Sequence, residues 1–452
     1  MSDISFPPAF EQRMREQLGA QWADFEAAHH QPSPVSIRLN PAKVSAPPAG
    51  ASSIPWTSHG YYLHERPSFT LDPAFHAGAY YVQEASSMFL EQAFRQVVDP
   101  DKAIRVLDLC AAPGGKSTHL LSLLNNQSLL VSNEVIRARA SILAENIQKW
   151  GHCNAVVTHN DPQDFQRLQG FFDVMVVDAP CSGEGLFRKD PDAMQEWSPD
   201  NVALCSKRQR RILSDVWPAL KEGGVLLYST CTYNADENEA NLAWLQQEHG
   251  AEFIPLLLNE SWGIQRVLHQ NIPGYRFYPH NVKGEGFFMA AVRKTESTPL
   301  SRVKNKTSFM SPPKKATEQL PAFVRNVEEK MFILRNDQIQ FFPKHLAGEI
   351  EFLTRSLYLL TAGTVMATLK HDKLVPEHPL ALSLELERDN FSQLNLELPE
   401  ALQYLRKEGI HVEGARKGFA LMLHNTLPLG WMNVLDNRSN NLYPSDWRIR
   451  KS

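Results

Sequence analysis

At about 150 residues per domain, a soft guide, the 452-residue chain has room for roughly three units, and 43% hydrophobic with 21% charged residues suit a globular core. Its 46 Lys+Arg against 50 Asp+Glu leave a net charge of −4, which excludes a histone-like or acidic-tail protein. No run approaches the ~18 consecutive apolar residues of a membrane helix, and MSDISFPPAFEQRMREQ carries acids and prolines where a secretory leader needs an apolar stretch, so a cytoplasmic chain with no membrane partner is expected.

Residues 1–100 are mixed: helical periodicity runs through FEQRMREQLGAQWADFEAAH (10–29), and a proline-rich passage follows as far as Pro55. From Ile104, short apolar runs alternate with longer amphipathic stretches. IRVLDL (104–109), SLLVSN (128–133), NAVVT (154–158), FDVMVVDA (172–179) and GGVLLYST (223–230) are predicted as strands. Near-continuous apolar strands separated by helices predict an α/β, doubly wound parallel sheet. GFFMAAV (286–292) is expected to add an edge strand. Arg293–Lys315 holds seven Lys/Arg and one acid with no apolar period, and predicts a mobile basic tether. The expected division is an N-terminal region 1–100, a catalytic domain 101–295, a linker 296–320 and a C-terminal domain 321–452.

The five cysteines, Cys110, Cys153, Cys181, Cys205 and Cys231, are odd in number and include no CxxC pair. Neither a disulfide framework nor a metal site is expected.

VLDLCAAPGGKSTHLLSLL (106–124) reads as a strand ending in Asp108, a tight turn of Ala111, Ala112, Pro113, Gly114 and Gly115, and a helix opening near Lys116. Small residues let the backbone approach a ligand, and a helix start offers free N–H groups. Neither the Walker spacing nor GxGxxG is present. Glu134 ends the second strand, 26 residues after Asp108, where such folds bind ribose hydroxyls. Asp161 follows the third strand and suits an adenine amino group. Together these positions point to S-adenosyl-L-methionine.

The fourth strand ends VVDAPCSGEG and the fifth LLYSTCTYN. Cys181 and Cys231 therefore fall beside neighbouring strand ends, each in a polar turn. Cys110, Cys153 and Cys205 carry no such signal and read as small hydrophobes. Asp178 is placed to hydrogen-bond a substrate edge. A thiolate beside a methyl donor suits carbon 5 of cytosine, which becomes nucleophilic only after a thiolate adds to carbon 6.

DLCAAPGGKS (108–117), DAPCSGEG (178–185) and YSTCTYNADENE (228–239), with SIRLNPAK (36–43), YYVQEASSM (80–88) and RFYPHNVKGEGFFMA (276–290), resemble the Nol/Nop/Sun family of RNA cytosine-5 methyltransferases. The GEGFF ending leans toward the bacterial RsmF-type 16S rRNA branch. LPLGWMNVLDNRSNNLYP (427–444) resembles that branch's PUA-like domain. The resemblance implies a Rossmann-like methyltransferase sheet with an N-terminal α/β extension and a C-terminal PUA-like α+β domain. It further implies that Cys110, Ala111, Ala112, Pro113, Gly114, Gly115 and Lys116 wrap the methionine end of the cofactor. Glu134 would take the ribose, where an aspartate is commoner, with Arg139 also at the cofactor site and Asp161 at the adenine. Asp178 would lie between cofactor and base, Cys231 would be the nucleophile, and Cys181 would assist proton removal and release.

Phosphate binding needs local positive charge. Candidates are Lys207, Arg208, Arg210 and Arg211, then Arg188 and Lys189, the linker, and the last 52 residues, which hold eight Lys/Arg and four Asp/Glu. Trp431, Tyr443 and Trp447 fit core packing better than base stacking. The expected partner of this monomer is RNA, either small-subunit rRNA or the 30S particle. The alternatives are tRNA, a non-catalytic RNA-binding ribosome-assembly factor and a small-molecule methyltransferase.

Overall fold

The computed structural model describes residues 5–99, 101–269, 272–303, 308–410 and 416–450. Its centre is a ten-stranded sheet built from β1 (Arg105–Asp108), β2 (Leu129–Asn133), β3 (Ala155–Thr158), β4 (Phe172–Asp178) and β5 (Leu220–Thr230). The remaining strands are β6 (Ala251–Ile254), β7 (Gln265–His269), β8 (Ile272–Phe277), β9 (Phe287–Lys294) and β10 (Leu359–Ala362). The order is β7-β8-β9-β5-β4-β1-β2-β3-β10, with β6 also paired to β9. β3, β2, β1, β4 and β5 are mutually parallel. All five match the apolar runs expected as strands.

Their apolarity follows from burial on both faces. Leu107, Val131, Val157, Val176 and Leu227 are each 0% exposed, and each contributes about 1.5–3 kcal/mol by leaving water. From β1 the chain builds outward through β2 and β3, then returns to place β4 on β1's other side. The reversal opens a crevice at the carboxyl ends of β1 and β4. Three helices flank it: α1 (Gly115–Leu123), α2 (Arg137–Trp150) and α3 (Pro199–Val216).

GFFMAAV does not form an edge. β9 runs antiparallel between β5 and β8, because the β7–β8 hairpin supplies further strands outside it. At the opposite side β10 pairs antiparallel with β3. A strand from within the span expected to be a separate C-terminal domain thus completes the central sheet. It caps β3, whose free backbone groups would otherwise form an open edge. The remaining C-terminal strands form two four-stranded sheets, the second comprising Ser392–Asn395, Gly418–His424, Leu427–Val434 and Ser439–Asn441.

Described parts of the basic passage lie against this body. The Ser301 N–H donates to the Gln169 carbonyl at 2.8 Å, Ser308 Oγ donates to Glu351 at 2.6 Å, and Phe309 packs on Phe342. Residues 304–307 lie outside the described residues.

In the N-terminal region the helices Pro8–Leu18 and Trp22–His29 are split at a short turn beginning at Gly19. Phe10, Met14, Trp22 and Phe25 pack in one apolar cluster with Phe187, Trp197, Tyr233 and Tyr278. A four-stranded antiparallel sheet follows. Its buried Arg38 donates to the Thr118 hydroxyl at 2.6 Å and the Gly115 carbonyl at 3.3 Å, binding this sheet to the start of α1. Among the described residues no helix is long and apolar enough to cross a membrane.

Four histidines, His29, His76, His119 and His378, are at least 95% buried. Burial lowers the first three to about 4 and His378 to about 3. Between pH 6.5 and 4 the unfolded chain binds more protons at these sites, so stability is lost as pH falls through that window. Asp108, raised to about 7 by burial, acts in the opposite sense, as do Glu84 and Glu237, which burial also raises, so the loss from the four histidines is partly offset. Thermal melting is expected to drop by roughly 5 °C between pH 7 and pH 5. An unchanged midpoint in a pH series would show these histidines to be protonated in the fold.

Candidate active site

A cavity of about 770 Å³ opens at the carboxyl ends of β1, β2, β4 and β5. Leu109, Cys110 and Ala112 border it from β1, Asn133 to Ile136 from β2, Asp178 to Cys181 from β4, and Cys231 from β5. Arg139 of α2 and Leu204, Lys207, Arg208 and Arg211 of α3 close its sides. Such a volume suits a nucleoside-sized cofactor with room for a base.

The turn after β1 is held by its neighbours. Gly114 adopts φ +115°, which favours glycine, and a Cβ there would press on Leu143 of α2 at 3.3 Å. Arg139 Nη2 donates to the Ala112 carbonyl at 2.8 Å, and Asn146 donates to the Pro113 carbonyl at 2.8 Å. The Ala111 N–H donates to the Asn133 carbonyl at 2.8 Å. Gly115 begins α1. Lys116 is drawn across the crevice: its Nζ lies 2.7 Å from Asp178 Oδ2, while Ser229 donates to Asp178 Oδ1 at 2.7 Å.

Glu134 is buried and accepts from the Ile136 N–H at 3.0 Å, with Arg139 at 3.7 Å. Asp161 lies farther out. Its carboxylate caps the turn at Gln163 and meets Arg211 at 3.1 Å; its neighbour Pro162, rather than Asp161, lines the cavity.

Cys181 Sγ and Cys231 Sγ are 2.9 Å apart, both half-buried and both free. Residues between and around the two loops enforce the contact. Ser182 Oγ lies 3.1 Å from Thr232 Oγ1, and the Gly185 N–H donates to the Cys231 carbonyl at 2.9 Å. Glu237, 0% exposed, accepts from the Ser182 N–H at 3.0 Å and from Gln209 at 2.9 Å, while Gln209 also donates to the Pro180 carbonyl at 3.0 Å. Gly185 and Gly286 pack backbone to backbone, and a Cβ on Gly185 would fall 2.3 Å from the Gly286 carbonyl oxygen. That contact accounts for glycines in both GEG segments. The hydrogen bond to Cys231, then burial, raises the Cys181 thiol well above its ordinary value. Cys110 is likewise raised, by burial first and then by the nearby Asp108 and Asp178 carboxylates, which disfavours a thiolate there.

Three residues outside the sequence expectations shape the site. Asp108, expected only as a strand end, is fully buried. Its Oδ2 accepts from Ser117 at 2.6 Å, its Oδ1 has no partner, and burial pushes it up to about 7. Asn133 donates to the Leu109 and Asn160 carbonyls at 3.2 and 3.0 Å, tying three strand ends together. Glu237 joins the two cysteine loops. Of these only Asp108 carried a local signal, its place before the glycine turn.

The basic candidates separate in the structure. Arg188 is consumed in a buried pair with Glu285 at 3.0 Å, which corrects its expectation as a phosphate contact. Arg210 turns away to Asn241 at 2.8 Å, whereas Lys207, Arg208 and Arg211 line the cavity. Trp431 and Tyr443 are core residues, 1% and 0% exposed.

The donor set fits S-adenosylmethionine: Glu134 lines the cavity where ribose hydroxyls bind, and the unsatisfied Asp108 oxygen is suited to an ammonium group.

Residues 95–293 match the family model described as 16S rRNA methyltransferase RsmB/F. Residues 6–85 match the N-terminal domain of 16S rRNA methyltransferase RsmF, and residues 391–449 the methyltransferase RsmF PUA domain. The chain is 32% identical to a ribosomal RNA small subunit methyltransferase F of Shigella boydii, over 98% of this chain and 96% of that one. The same identity and shares hold for an Escherichia coli protein so named. Among solved structures, a methyltransferase homologue from Pyrococcus horikoshii aligns at TM-score 0.55 and 28% identity, covering 64% of this chain and 96% of that chain. NSun6 from the same organism aligns at TM-score 0.55 and 19% identity, over 65% of this chain and 100% of its own, a likeness of fold.

Proposed function

Because the chain belongs to the 16S rRNA methyltransferase RsmB/F family, and is thus an S-adenosylmethionine-dependent RNA methyltransferase, we propose that it methylates carbon 5 of a cytosine in 16S rRNA. The observation that carries this reading is the contact of two thiols at 2.9 Å inside the cofactor cavity. A transfer to oxygen or to an exocyclic nitrogen has no use for a pair of sulfurs, whereas carbon 5 of cytosine needs a nucleophile at carbon 6 and a means of releasing it.

S-adenosylmethionine, when bound, supplies an electrophilic methyl group. Cys231, as thiolate, adds to carbon 6 and pushes an electron pair to carbon 5, which takes the methyl. Carbon 5 must then lose its proton, and its electrons reform the ring double bond as the carbon–sulfur bond breaks. Cys181 serves this second half. While both sulfurs are free, the hydrogen bond to Cys231 keeps Cys181 protonated, since adjacent sulfurs do not both ionise readily. The first of these causes disappears once Cys231 becomes a thioether, although burial remains. Cys181, only half-buried, then gives its thiol proton to water, takes the carbon-5 proton as thiolate, and stands beside the departing Cys231 sulfur. Asp178, held by Lys116 and Ser229, lies at the strand end between cofactor and base. Cys110 to Lys116, Glu134 and Arg139 hold the cofactor, with Asp161 at the adenine rim.

The match of residues 391–449 to a PUA domain and the N-terminal match support a structured RNA partner, either 16S rRNA or the small subunit, met in the cytoplasm. The test is transfer of labelled methyl to unmodified small subunits, naked 16S rRNA and tRNA, with nucleoside analysis. The expected product is 5-methylcytosine in a ribosomal substrate. Label in tRNA alone would overturn the substrate, and no label with cofactor bound would favour an assembly factor.

A further inference from the structure

Leu204, Lys207, Arg208 and Arg211 follow one another at i, i+3, i+4 and i+7 along α3, a spacing that places them on one face of the helix. All four line the cavity. The opposite face, with Val202, Cys205, Gln209, Leu213 and Val216, is buried in the body. Arg211 is already engaged by Asp161 and Asp215. The Lys207 and Arg208 side chains are exposed and, among the described residues, enter no ion pair or hydrogen bond. Leu204 is 54% exposed, and with the two cations it makes an apolar step bordered by free positive charge. This lies at the mouth of a cavity whose wall holds both thiols. On a chain of net charge −4 an unpaired cationic rim at this place calls for an anionic partner.

We propose that this face of α3 is the subsite for the RNA strand flanking the target cytosine. Lys207 and Arg208 hold the phosphates next to the flipped nucleotide, and Leu204 covers the neighbouring base face that flipping leaves bare. The inference rests on the RNA cytosine-methylation reading and deepens it. Extruding a base exposes its neighbour and bends the backbone toward the protein. Cations beside the pocket hold that backbone, and an apolar contact replaces lost stacking. Arg211 does a different task, fixing Asp161 at the cofactor's rim, so α3 carries adjacent segments for cofactor and RNA.

The experiment compares steady-state kinetics on 16S rRNA across a salt series for the wild type, Lys207→Ala/Arg208→Ala and Leu204→Ala. The double variant is expected to raise KM for RNA about tenfold, with kcat changed less than about twofold, and to lower the salt slope by about 1.4, or ~0.7 per phosphate contact. Leu204→Ala should raise KM with the salt slope retained. Unchanged cofactor Kd in each variant, measured by calorimetry without RNA, reports an intact fold. Wild-type KM and slope in the double variant would overturn the subsite, as would a fall in kcat at constant KM. An inactive wild type would instead sink the methylation reading beneath it, so the two failures are distinguishable.

Discussion

Replacing Cys231 with alanine is expected to reduce methyl transfer by about 10⁴-fold or more, the scale on which loss of a catalytic nucleophile acts, while cofactor affinity stays within about twofold. The loss should be large because no other sulfur can substitute. Cys181 is 2.9 Å away but sits in a different loop, with its backbone tied through Ser182 to Glu237, so its approach to the ring differs from that of Cys231. Cys110 borders the same cavity, yet burial and the carboxylates of Asp108 and Asp178 hold it in the thiol form. Ring carbon 5 would then face the methyl donor without the electron density that addition at carbon 6 provides. Labelled transfer under single-turnover conditions, alongside cofactor titration, checks the expectation. Retained transfer by the variant would remove Cys231 from the nucleophile's role.

Cys181→Ala is expected to behave differently. Addition at carbon 6 and methylation need only Cys231 and the cofactor, so a first turnover should proceed. Proton removal from carbon 5 and expulsion of the sulfur should then stall, slowing multiple turnover by about 10²–10⁴-fold, the usual range for loss of a positioned acid–base group. The trapped species is a protein–RNA thioether that survives denaturing electrophoresis and carries the labelled methyl. Such a band should be absent from Cys231→Ala and from the double variant. Normal turnover with no band would take Cys181 out of the mechanism. The opposite phenotype, a trapped complex in Cys231→Ala, would exchange the two roles.

Much of the catalytic region was legible because its signals are local. The five parallel strands are short apolar runs, and burial on both sheet faces leaves little choice of residue. The turn at Gly114 announces itself because φ +115° with α2 close by favours glycine, and the neighbourhood of Cys181 and Cys231 follows from strand ends that adjoin in a parallel sheet. Glu237 was not legible: an acid within ADENE looks like any solvated carboxylate, and its burial beneath two loops depends on Gln209 of α3 and Ser182 arriving from elsewhere. Arg188 misled for the converse reason. Beside Lys189 it reads as a surface cation, yet Glu285, 97 positions away in the chain, takes it into the interior.

The same division holds for the whole molecule. Sequence by itself determined the α/β class, the order of the parallel strands' segments and the glycine turn, because each depends on side-chain type and spacing within about 20 residues. Tertiary structure alone decided that β9 lies inside the sheet, that β10 reaches back to close its open edge, which cations of α3 remain unpaired, and that the two sulfurs touch. Those outcomes are set by pairing between segments distant along the chain, where backbone hydrogen bonds and buried charges must find partners that no local pattern specifies.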